Sequence, residues 1–167
     1  YRRGDFFLRG GISDTAANIA PSGTERSGFT AGTTEDADVA VTITGTNPTV
    51  TELNAVAAAT TGVVTATISG NIATLGGIVA AGTDAITATV TDAVTVAQFN
   101  TLDAKTSVNI ILPGGISDVA ASYASTAGTA TSGLTAIDSQ DADVVLTATD
   151  VATVAQVTAL AAATSAD

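Results

Sequence analysis

The stretch TDAVTVAQFNTLDAKTS at residues 91–107 is written again as TDVATVAQVTALAAATS at 149–165 and, more loosely, as TGTNPTVTELNAVAAATT at 44–61. An internal repeat of this size constrains the fold more than any single residue does. One copy cannot bury its own apolar stripe, so copies must stack and cover one another. The offset is about 46 residues from Thr49 to Thr95 and about 58 from Thr95 to Thr153. A second motif alternates with the first: GGISDTAANIA at 10–20 returns as GGISDVAASYA at 114–124, with the degenerate ATISGNIATLGG at 66–77 between them.

Each motif pairs a strand pattern with a helix pattern. The strand candidates are DVAVTITG (38–45), VVTATIS (63–69), AITATVT (85–91), VNIIL (108–112) and DVVLTAT (143–149), in which apolar residues alternate with Thr. Period two with β-branched residues marks a half-buried strand. The segments that follow switch to a spacing of three. Val50, Leu53 and Val56, then Val96, Phe99 and Leu102, then Val154, Val157 and Leu160 fall on one face of a short helix and are expected to hold it to the sheet. Thr49–Glu52, Thr95–Gln98 and Thr153–Gln156 read as capping boxes. Ser13–Asp14 and Ser117–Asp118 read as N-caps of TAANIA and VAASYA. The Gly-, Ser- and Thr-rich stretches 21–36 and 125–140 read as loops on one flank.

Strand, helix, strand, helix at roughly 23 residues per pair, joined by right-handed crossovers, predicts an α/β fold: a right-handed βα solenoid of about six short coils around a parallel sheet. Helices would cover one sheet face and Thr the other. An all-β sandwich or β-helix is the alternative. Residues 11–167 are expected to form one repeat domain, with 1–10 as an N-terminal arm or end cap. That segment, YRRGDFFLRG, departs in style, and its adjacent Phe6 and Phe7 are the natural anchor for a neighbouring subunit in so aromatic-poor a chain.

The phrases ISDTAANIA, TVTDAVTVAQFNTLDAKTS and LTATDVATVAQVTALAAAT resemble repeat tracts of very large cyanobacterial or cyanophage surface, hemolysin-type or fibre proteins. The likeness covers everything after about Gly10 and carries no catalytic residues. It implies a structural role at a cell surface, outside the cell or on a virion.

Composition narrows the chemistry. His and Cys are both absent, which removes the Ser-His and Cys-His nucleophilic arrangements and any disulfide framework. The clustered Asp residues would be the only enzymatic resource, and acids at strand ends more often cap and solubilise, so no enzyme is expected. The 16 acidic residues against 5 basic give a net charge of −11, the wrong sign for phosphate backbones or anionic membranes. No apolar run approaches the roughly 18 residues of a membrane span, and nothing at the N-terminus reads as a signal peptide. A start at Tyr1 fits a processed product or an excerpt.

No cofactor is required by these residues. Calcium is the ion that Asp36, Asp38, Asp84, Asp141 and Asp143 would suit, together with Asp92 and Asp150, although neither an EF-hand loop nor a GGxGxDxUx nonapeptide is present. Thr42, Thr44, Thr65, Thr67, Thr87, Thr89, Thr147 and Thr149 would form TxT rows with the spacing of a water-ordering grid, ~6.7 Å along a strand and ~4.8 Å between strands. The expected function is a self-assembling structural protein, a homo-oligomer or polymer. The alternatives are an ice- or carbohydrate-binding module on the Thr face and a calcium-binding adhesin repeat.

Overall fold

A computed structural model of the chain describes residues 8–45, 47–140 and 144–164. These form a mixed α/β structure of six strands, eight α-helices and one 3-10 turn, and every pairing between strands whose register is resolved is parallel. The chain divides into two compact units: residues 1–68, 77–87 and 105–108, and residues 69–76, 88–104 and 109–167.

The first unit opens with β1 (Ile12–Thr15), α1 (Ala16–Ile19), a 3-10 turn at Pro21–Gly23 and α2 (Ser27–Glu35). It continues through β2 (Val41–Thr44) and α3 (Val50–Ala59), and holds most of β3 (Val64–Gly70) and the first half of β4 (Ala85–Val90). The sheet order is β1-β2-β3-β4, with Ile12 opposite Val41 and Val41 opposite Val64. The alternation works as the sequence requires: Val41, Ile43, Val64, Ala66 and Ile68 are buried, while Thr42, Thr44, Thr65 and Thr67 are exposed. Helix α3 lays Leu53 and Val56 into the core, a burial that stabilises by ~1.5–3 kcal/mol per side chain. Its capping box is complete: Glu52 N–H donates to Thr49 Oγ1 at 3.2 Å, and Thr49 N–H donates to Glu52 Oε2 at 2.9 Å.

The second unit contains the ends of β3 and β4, then α4 (Ile72–Leu75), α5 (Val96–Asp103), β5 (Ile116–Asp118), α6 (Ala120–Tyr123), α7 (Ser132–Gln140), β6 (Leu146–Ala148) and α8 (Val154–Ala163). β5 pairs with β6, Ile116 opposite Leu146, and single parallel bridges join Thr89 to Ile111 and Val94 to Ile116. Phe99, Leu102, Tyr123, Leu134 and Ile137 fill the core. Buried Tyr123 shares its single hydroxyl proton between Ile116 O and Thr147 O, both at 3.0 Å, pinning α6 to both strands. The capping boxes at Thr95–Gln98 and Thr153–Gln156 are formed.

Four expectations are corrected. Ser13–Asp14 and Ser117–Asp118 are not helix caps but lie in β1 and β5; the residues at the starts of α1 and α6 are Thr15 and Val119, neither with a side-chain cap bond. The stretches 21–36 and 125–140 are not loops throughout: they contain the nine-residue helices α2 and α7. Their composition is poor for helices, and the buried side chains Phe29, Leu134 and Ile137 are the tertiary packing that holds them. VNIIL makes only the bridge at Ile111 in place of a strand. Val154 and Val157 do not hold α8 to a sheet; both are exposed.

Candidate functional site

The same junction recurs along the chain. The first amide of a helix is accepted by an Asp carboxylate one strand–helix segment later: Ile72 N–H donates to Asp92 Oδ1 at 2.8 Å, Val96 N–H to Asp118 Oδ2 at 3.1 Å, and Ala120 N–H to Asp150 Oδ1 at 2.6 Å. Helix starts leave such amides without intrahelical partners, and an anion there is favoured by the backbone dipoles. A buried Thr after α3 and after α5 ties the chain back to the backbone at or beside the strand that precedes that helix. Thr60 Oγ1 donates to Val39 O at 2.6 Å and accepts from Gly62 N–H at 3.0 Å; Thr106 Oγ1 donates to Ile86 O at 2.8 Å and accepts from Ile86 N–H at 3.0 Å. Gln156 of the third capping box, also buried, donates through Nε2 to Ala124 O at 2.9 Å. Sequence reading found the Asp and Gln residues but not these partners, which lie 20 to 32 residues away.

The Thr rows divide between the units. In the first, Thr42, Thr44, Thr65 and Thr67 are exposed and Thr87 is half-buried, with Thr42 opposite Thr65. Ser13 opposite Thr42 and Thr15 opposite Thr44 extend the rows onto β1, which the sequence reading missed. In the second unit Thr89 is half-buried and faces exposed Ile111, while Thr147 is exposed opposite Ser117 and Thr149 is exposed just past β6.

The acidic candidates are dispersed. Asp84 is buried, with Oδ1 accepting from Val64 N–H at 2.8 Å and Oδ2 from Ala81 N–H at 2.9 Å, so both oxygens serve the backbone. Asp36 is buried and accepts from Leu8 N–H at 2.7 Å; Asp38 is exposed. Asp141 and Asp143, like Phe6 and Phe7, lie outside the described residues. Among the described residues no three acidic side chains gather as a metal-holding group, and no helix is long and apolar enough to cross a membrane.

An apolar groove of about 440 Å³ lies between β6 and α8, lined by Val144, Leu146, Ala148, Val157 and Leu160 among others. Helix α8 repeats α5 residue for residue at its start. Yet Val154 is 85% and Val157 54% exposed, where their counterparts Val96 and Phe99 are 7% and 1% exposed. Val96 meets Gly133 of α7 and Asp118 of β5, both in the segment after α5, and no described residue covers Val154 in the same way. Neither a protein-family model, nor a curated protein, nor a solved structure matches this chain.

Proposed function

We propose that the chain is a right-handed βα solenoid of about six coils acting as a non-enzymatic structural protein: a self-assembling component of an extracellular surface layer, a filament or a virion appendage. The recurrent Asp-to-amide junction carries this reading, because one set of contacts repeated from segment to segment is what an extensible stack requires. A chain without His or Cys, with a charge of −11, suits a scaffold better than a nucleophilic enzyme or a nucleic-acid ligand. Negative-stain electron microscopy together with sedimentation tests it. Filaments or lattices that grow with concentration are expected; single particles of one chain at every concentration would refute self-assembly.

A second reading has its own observation. The exposed Thr42, Thr44, Thr65 and Thr67, with Thr42 in register opposite Thr65, make a regular hydroxyl patch suited to ice or a carbohydrate. Thermal hysteresis that disappears when Thr65 and Thr67 are replaced by Lys would favour that reading over assembly.

A further inference from the structure

The junction after α5 shows what covers a helix of this type. Val96 N–H donates to Asp118 Oδ2 at 3.1 Å, Val94 N–H to Gly115 O at 3.2 Å, and Ser117 N–H returns to Val94 O at 2.8 Å. A Cβ on Gly133 would collide with Val96 Cγ1, so α7 meets α5 where only hydrogen fits. The covering segment consists of GGISDVAASYA and TSGLTAIDSQ, and near the N-terminus it is written again as GGISDTAANIA and RSGFTAGTTE.

Among the described residues, that N-terminal copy carries the same features without their partners. Asp14 Oδ1 accepts from Thr15 N–H at 2.7 Å and Asn18 Nδ2 at 2.8 Å, much as Asp118 Oδ1 accepts from Val119 N–H at 2.8 Å. No described donor reaches Asp14 Oδ2, whereas Asp118 Oδ2 holds Val96. Hydrogen bonds from Asn18 and the Thr15 amide, with Arg26 nearby, hold the Asp14 carboxyl below the usual carboxylate range, ready to accept. A Cβ on Gly28, the counterpart of Gly133, would meet nothing within 4 Å among the described residues. Ile12 N–H donates to Ala40 O, so by the alternation of a parallel ladder Ser13 N–H points away from β2. Ile12 is half-buried where Ile116 is buried, and it lines a groove of about 400 Å³ with Asp14, Gly28 and Phe29.

The β6–α8 end supplies the missing half: TDVATVAQV at 149–157 against TDAVTVAQF at 91–99, with Val154 exposed. We propose that the groove between β6 and α8 receives the β1–α2 end of a second copy of this chain, in the register of the α5–β5 junction. Ala152 lies beside Ile12, Val154 N–H donates to Asp14, and the Val154 side chain seats on Gly28. This rests on the stacked-coil reading and names its partner and its contacts. The contact is heterologous, the two faces being different, so copies joined through it close into a ring or run on as a filament.

The chain lacks Cys, so introduced thiols report alone. Val94 and Ile116 are bridge partners, and Ala152→Cys mixed with Ile12→Cys would place two thiols at the equivalent positions, at the Cα separation a disulfide needs, roughly 4.4–6.8 Å. Full-length variants are mixed at ~0.5 M salt, which screens the repulsion between acidic copies, and oxidised. The mixture should cross-link at least tenfold more than either variant alone. Gly28→Leu, which fills space that is open among the described residues, should abolish the cross-link and lower association at least tenfold while the circular dichroism of the lone chain is unchanged. If the parent chain assembles but the mixture does not cross-link, or Gly28→Leu changes nothing, this junction is refuted while the structural reading stands. If the parent chain never associates, both fall.

Discussion

Replacing Thr106 by Val tests whether the buried hydroxyl stands in for a missing piece of strand. Its oxygen accepts from Ile86 N–H at 3.0 Å and Val108 N–H at 3.2 Å, and its proton goes to Ile86 O at 2.8 Å, which uses the full capacity of a hydroxyl. Val has nearly the same shape, so no cavity opens and the loss is polar. Ile86 is buried, and its orphaned amide costs ~1–3 kcal/mol. The partly buried Val108 amide adds less, for a total of roughly 2–4 kcal/mol, out of the ~5–15 kcal/mol that stabilises an ordinary domain. Thr106→Ser keeps the hydroxyl and gives up one methyl, about 1 kcal/mol. Urea denaturation followed by circular dichroism measures both, and amide exchange at Ile86 localises the effect. A Thr106→Val change below ~0.5 kcal/mol, the range of substitutions that touch nothing important, with the Ile86 amide still slow to exchange, would show that the hydroxyl is not a structural partner.

Three further outcomes follow from titratable groups. Burial raises the Asp103 carboxyl, and its Oδ1 is buried without a described partner. With the folded value above the unfolded one, stability is complete at acid pH and falls as pH rises through the folded value. Asp103→Asn should therefore raise the unfolding free energy at pH 7 by no more than ~0.5 kcal/mol, seen as a slightly higher melting midpoint, and remove that part of the pH dependence. Glu52 has the opposite sign: hydrogen bonds from the Thr49 amide and hydroxyl, with a smaller contribution from the Ser22 amide, hold it below its usual value. Its stabilisation is present at neutral pH and is lost as pH falls through the folded value, so Glu52→Gln should flatten the acid limb of a stability–pH curve. Burial, with Asp118 nearby, pushes the Tyr123 phenol up to about 12. An absorbance titration should find it un-ionised past pH 10, with stability declining between about 10 and 12; ionisation near 10 in the folded chain would contradict its buried hydrogen bonds.

What was legible in the sequence is what is local. Capping boxes span three residues, so Thr49, Thr95 and Thr153 announce their helices. Alternation over six or seven residues announces β3 and β4. The strands at Ile12–Thr15 and Ile116–Asp118 are too short for alternation to register, and their Asp residues resemble caps because carboxylates accept amides in both settings. Helices α2 and α7 are held by a few buried apolar residues amid Gly, Ser and Thr, so composition pointed to loops. The exposure of Val154 and Val157 could not be read from their spacing, which matches that of Val96 and Phe99; burial depends on tertiary cover, which spacing does not encode. The threonine rows on β2 and β3 were legible for the reason the strands were, while their partners on β1 were hidden with that strand.

The long reach of the Asp contacts sets a schedule for the emerging polypeptide. Asp92 follows Ile72 by 20 residues, Asp118 follows Val96 by 22 and Asp150 follows Ala120 by 30. At ribosomal speeds of roughly 5–20 residues per second, a newly made helix waits about one to six seconds for the carboxylate that finishes it. Maturation therefore travels from the amino end toward the carboxyl end as a wave trailing synthesis, with an unfinished tip throughout.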